Sequence, residues 1–221
     1  MRPGCRRRRT RCWRASAAVD PFVAPAFPGA LRDTKPHWCH PARVLHRFEI
    51  RLADVDRGVY TDLDLRVARH PSEDNPYLLT RVLAFALEHK DGLAFSKGLS
   101  ESDEPALWVK SGDGRIVDWI EVGSPAPDRL HRASKACQRV VVWCHRRPDL
   151  LQQRCAKEKV HKAEQIQVVK VPGELLAALE PKLDRNNRWD LSRLEGRVTV
   201  VVDGEAIEAA IDSVPLSPAP E

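Results

Sequence analysis

The chain has 221 residues, 43% of them hydrophobic, which suits one domain with a buried core and an appendage. No run of about 18 apolar residues occurs, so no transmembrane helix and no membrane partner are expected. The net charge of +5 is uneven: residues 1–43 carry ten Lys/Arg against two acids, a net of +8, and the remainder stands at −3. The body therefore lacks the basic footprint of a constitutive nucleic-acid binder, while a local basic groove stays open.

Residues 1–43 hold six prolines and the run Arg6–Arg9 with almost no periodic apolar pattern. They read as a disordered basic leader or as a start set too early, Met1 being the only methionine. The functional readings are a basic nucleic-acid arm or a targeting peptide, but no apolar core of a secretory signal follows the arginines. Six cysteines show no CxxC pair and no disulfide framework. A reducing, cytoplasmic setting without a disulfide-linked partner is expected.

Ordered patterning begins near Val44, and the domain is expected to span 44–216, with a flexible tail at 217–221. Residues 46–52 and 59–68 alternate around the turn 54–58 and predict a hairpin. Asn75 is the expected N-cap of a helix with Pro76 at its first position. Leu78, Leu79, Val82, Leu83, Ala86 and Leu87 form its apolar stripe, and Gly92 ends it. Short strands follow at 94–96, 107–110 and 116–122, the last two joined by the Gly112–Asp113–Gly114 turn. Next come a helix at 128–137, a buried-type strand at 139–144, a helix at 149–157, a strand at 166–171 and a helix at 173–183. A second hairpin, 197–202 and 206–210, turns at Asp203–Gly204. The pattern predicts an α/β fold, a mixed sheet flanked by helices.

The stretch from Leu93 to Ala136 carries the chemistry. Asp103 and Glu104 lead into a strand whose entry Pro105 restricts. Glu121 ends another strand, on the face shared by Val117 and Trp119. A carboxylate on an otherwise apolar face needs a partner. Lys135 follows on a helix. Two carboxylates and a lysine suit metal-assisted phosphodiester cleavage, with Asp103, Glu104 and Glu121 as ligands for Mg²⁺ and Lys135 steadying the attacking water. The plainer reading is solvated acids and an exposed helix lysine. Glu73 stands near a helix N-terminus, where an acid is favourably placed. Lys97 and Arg69 would meet phosphate or pair with these acids. Cys137, Cys144, His145, Cys155 and His161 match no zinc spacing, and Cys137 and Cys144 read as core. Trp108, Trp119 and Trp143 read as core or sheet-face packing.

The segments ADVDRGVY (53–60), LRVARHPSE (65–73), FSKGLS (95–100), DEPALW (103–108), WIEVG (119–123) and RASKA (132–136) occur in an order that resembles the YaeQ family of small bacterial proteins. The resemblance runs from about Val44 to Leu216. It implies a variant of the PD-(D/E)XK, restriction-endonuclease-like core (helix, three strands, helix, strand), with the N- and C-terminal hairpins as additions. It implies metal ligation by Glu104, or Asp103, together with Glu121. The lysine usual two residues after the second carboxylate is absent, since Gly123 stands there, and Lys135 would be a migrated replacement. Two functions follow as expectations. One is Mg²⁺-dependent phosphodiester cleavage of nucleic acid with Glu104, Glu121 and Lys135 as catalytic residues. The other is a non-catalytic descendant that binds protein or nucleic acid.

Overall fold

The computed structural model describes residues 44–96 and 104–217. Asp103 and Lys97 lie outside the described residues, as do the leader and the last four residues of the tail. Fifteen strands and α-helices follow one another in these described segments: β1 (Val44–Asp54), β2 (Val59–Arg69), α1 (Asn75–Leu87), β3 (Leu93–Phe95), β4 (Leu107–Lys110), β5 (Ile116–Val122), α2 (Pro127–Ala136), β6 (Arg139–Cys144), α3 (Pro148–Lys157), β7 (Gln167–Lys170), α4 (Gly173–Leu179), β8 (Asn186–Leu194), β9 (Arg197–Val202), β10 (Glu205–Ala210) and β11 (Asp212–Pro215).

The mixed α/β class holds, with two sheets where one was expected. The first sheet has the order β10-β9-β8-β1-β2, and the second β11-β7-β6-β5-β4-β3. Both predicted hairpins form, yet they meet in one sheet because β8 lies between them. Strand β8 pairs in parallel with β1 and antiparallel with β9. It was not expected, and neither was β11. Residues 186–194 are crowded with charged side chains, but Asn187, Trp189 and Leu191 alternate inward and are buried. That period of two is the strand signal, diluted by Arg188 and Asp190 on the solvent side.

Helix α1 is packed between the sheets. All ten residues from Leu78 to Leu87 are buried, so its apolar stripe has become a fully enclosed cylinder. One face meets Phe48, Ile50, Leu65 and Val67 of the first sheet, and the other meets Leu107, Ile120, Val122, Val141 and Trp143 of the second. Enclosure requires partners for Thr80 and Arg81. The Thr80 hydroxyl donates to the Pro76 carbonyl at 2.7 Å. Arg81 pairs with Glu73 at 3.1 Å and donates to the Ala68 carbonyl at 2.9 Å. The N-cap is Asp74, one residue before the expected Asn75. Its Oδ1 accepts from the Tyr77 amide at 2.8 Å, and Asn75 opens the helix while pairing with Arg69. The helix ends at Leu87 with Glu88 as its cap, well before Gly92. Arg57, in the β1–β2 turn, donates to the Leu87 and His89 carbonyls and so closes the last turn.

The far face of the second sheet is covered by α2 and α3, whose Leu130, Ala133, Leu151 and Cys155 pack on Trp119, Val140, Val142 and Val168. Pro181 ends α4 early, and residues 180–182 form a 3₁₀ turn.

Trp189 anchors β8, meeting Phe48 edge-on at 5.0 Å between centroids. Trp189→Ala is expected to cost about 3–5 kcal/mol, as for other buried aromatics. Urea unfolding should show a lowered midpoint at an unchanged slope.

Candidate functional site

Strand β5 carries Asp118, Ile120 and Val122 toward α1, and Trp119 and Glu121 toward α2. Glu121 is 5% exposed, so its charge has to be met by protein. Two donors meet it. Trp119 Nε1 donates to Glu121 Oε1 at 2.7 Å, and Arg129 Nε donates to the same oxygen at 2.5 Å. The Arg129 guanidinium also lies 5.4 Å from the Trp119 ring centroid. Burial pushes the Glu121 carboxyl up from its ordinary value, against the downward pull of Arg129 and Trp119.

Local sequence explains the placement. Gly123 adopts φ +93°, and the Pro-rich run Ser124–Pro127 turns the chain straight into α2. A first-turn side chain of α2 then lies over the end of β5. The backbone at residue 123 sits in a region that a lysine would occupy only with strain, and a Cβ there would lie 3.6 Å from the Tyr77 ring.

Glu104 is brought to the same guanidinium. Arg129 Nη2 donates to the Glu104 carbonyl at 2.5 Å, so one side chain spans both acidic residues. Glu104 Oε2 is buried without a hydrogen-bond partner among the described residues. Lys135 is not brought to the pair. It is exposed in the last turn of α2, six residues past Arg129 or about 9 Å along the axis. Just beyond it, the Gln138 amide donates to the Val117 carbonyl, near the opposite end of β5 from Glu121.

Glu73 is engaged elsewhere, bound by Arg81 and by the His70 amide at 3.1 Å, and burial pushes its carboxyl up. Tyr77 stands among the pairs Glu73–Arg81 and Glu121–Arg129, and burial pushes its hydroxyl up to about 12. Cys137, Cys144 and Cys155 are free thiols, the last two in the core, and burial pushes all three up. Among the described residues, no three His, Cys, Asp or Glu side chains gather as a metal-ligand group. No described helix is long and apolar enough to cross a membrane.

Arg129 is the residue of the candidate site that sequence reading missed. Its signal was present: it is the first cation after Glu121, next to the buried Leu130, on the helix that follows the strand.

A family model described as YaeQ protein matches residues 42–211. The chain belongs to the YaeQ family. Proteins named uncharacterized protein YaeQ from Salmonella typhi and Escherichia coli K12 are 33% and 32% identical over 101 residues, 46% of this chain. The chain spans 56% of the length of these curated relatives. The crystal structure of YaeQ protein from Pseudomonas syringae is 34% identical and aligns with a TM-score of 0.72, covering 77% of this chain and 95% of that one. The YaeQ structure from Xanthomonas axonopodis pv. citri is 29% identical with the same TM-score of 0.72, covering 78% and 98%. This YaeQ-family chain thus shares its α/β fold with solved bacterial relatives.

The ion pair sets a stability prediction. The Arg129 side chain is 20% exposed and the Glu121 side chain 6%, so Arg129→Met should cost about 3 kcal/mol, the low end for breaking a buried pair. Without the arginine, the Glu121 carboxyl rises further. The native state then holds a proton that the unfolded chain has released, so stability falls as pH rises above about 4.3. The loss in urea midpoint should be greatest near neutral pH and shrink toward pH about 4. Glu121→Gln in the same chain should remove that pH dependence.

Proposed function

We propose that this chain is a non-catalytic module that binds protein or nucleic acid on a nuclease-like frame. The order α1-β3-β4-β5-α2-β6 is that of a restriction-endonuclease-like core, and supports the frame. One observation carries the reading of function. The Glu121 carboxylate, which such a core would offer to a metal, is already met by Arg129 and Trp119. A hard dication wants several open oxygen ligands. The described residues offer Glu121, engaged by a guanidinium, and Glu104, so as they stand they do not fit Mg²⁺. The glycine at 123 and the remote Lys135 support the same conclusion, because neither supplies an ammonium beside the carboxylates.

Titration of Mg²⁺ and Mn²⁺ into the full chain and into Glu121→Gln tests this reading. The two proteins should give the same heats, and neither should cleave DNA or RNA in the presence of metal. Metal-dependent cleavage by the parent chain, abolished by Glu121→Gln, would overturn it.

The buried and unpartnered Glu104 Oε2 favours a second reading. Here Arg129 would leave, and Asp103, Glu104 and Glu121 would hold Mg²⁺ for phosphodiester cleavage. Lys135 would have to reach the site by a change in α2.

A further inference from the structure

The α2 side of the second sheet carries an aromatic strip bordered by cations. Trp108 of β4 stands directly opposite Trp119 of β5 in an antiparallel pair, so both indoles lie on one face. Ala94 of β3 is the next residue across, and it is exposed. Helix α2 lies over β5 and β6 and packs on Trp119, while Trp108 stays half-buried. Lys110, after the bulge in β4, holds its ammonium 3.6 Å from the Trp108 ring centroid.

Helix geometry supplies the other wall. Arg129, Arg132, Ala133 and Ala136 follow the spacing i, i+3, i+4, i+7 and so form one stripe. This stripe and the Trp119 ring line a cleft of about 180 Å³. Clefts for whole drug-sized molecules run to roughly 300–1,000 Å³, so this one is too small for such a molecule. The two alanines keep it open, and Arg132 is exposed at its side.

We propose that this strip binds single-stranded nucleic acid, with a base stacked on Trp108 and the backbone phosphates met by Lys110 and Arg132. The inference deepens the binding-module reading and rests on it. The indole face of Trp108 already attracts a cation, and every base has a π-face that can take its place. The displaced Lys110 ammonium then meets the adjoining phosphate. Single strands are indicated because a base stacked within a duplex has no face free for an aromatic platform. The cations are local on a body of net −3, so binding is weak and sensitive to salt.

Fluorescence anisotropy of labelled oligothymidylate and oligouridylate, about 12 nucleotides long, tests the proposal on the full chain. The basic leader is present in every variant, so differences between variants report on the strip. Trp108→Ala should weaken binding roughly 5- to 100-fold, the range for losing one stacking contact, whereas Trp108→Phe should retain most of it. Arg132→Gln should weaken binding and lower the slope of log K against log salt by about 0.7. Thermal melts establish that each variant folds. Equal affinity of the parent and Trp108→Ala, no binding of either oligomer, or binding only of an unrelated protein would overturn the strip. Cleavage of the same oligomers in Mg²⁺ would overturn the non-catalytic reading while leaving the strip intact, so the two failures can be told apart.

Discussion

A carboxylate placed on the buried face of a strand must be neutralised from a neighbouring element, and Glu121 meets that demand through Arg129. The rest of the candidate site is arranged around that need. Gly123 and the Pro-rich turn bring the first turn of α2 over the end of β5. Trp119 supplies a second donor to the same oxygen and a ring face to the guanidinium. Arg129 then reaches the Glu104 carbonyl, tying the entry of β4 to the end of β5. A single helix residue thus contacts both the Glu121 carboxylate and the Glu104 backbone carbonyl.

The frame behind the site is stiff for a related reason. From Leu78 to Leu87 helix α1 is buried, so Thr80 and Arg81 find partners within the protein in Pro76, Glu73 and Ala68. Arg57 closes its end from the β1–β2 turn. Tyr77, near its start, packs against Gly123 and shares the electrostatic surroundings of both buried pairs. A change at α1 would therefore be felt at β5 through contact as well as charge.

Much of this was legible from the residues. The alternation across residues 59–68 and the spacing of Leu78 to Leu87 yield β2 and α1 because each pattern has one period and clear breakers. The face assignment of Glu121 with Trp119 followed from a period of two. Other features depend on partners distant in the chain. Strand β8 hides its apolar alternation among charged neighbours, and it becomes a strand by pairing with β1 more than a hundred residues earlier. The enclosure of α1 needs two sheets, which no local pattern announces. Lys135 drew attention through its place in a family motif, whereas the buried carboxylate is met by whichever cation the first turn of α2 carries. The role of Gly123 was half visible: a missing lysine could be read in sequence, but its cause is a backbone at positive φ beside an aromatic ring.

In the proposed non-catalytic module Arg129, and no metal, neutralises Glu121. Diffraction at the manganese absorption edge from crystals soaked in Mn²⁺ tests it most directly. The expected result is no manganese peak between Glu104 and Glu121, with the Arg129 guanidinium still on the Glu121 carboxylate. A peak at about 2.0–2.6 Å from oxygens of both residues, with Arg129 displaced, would contradict it.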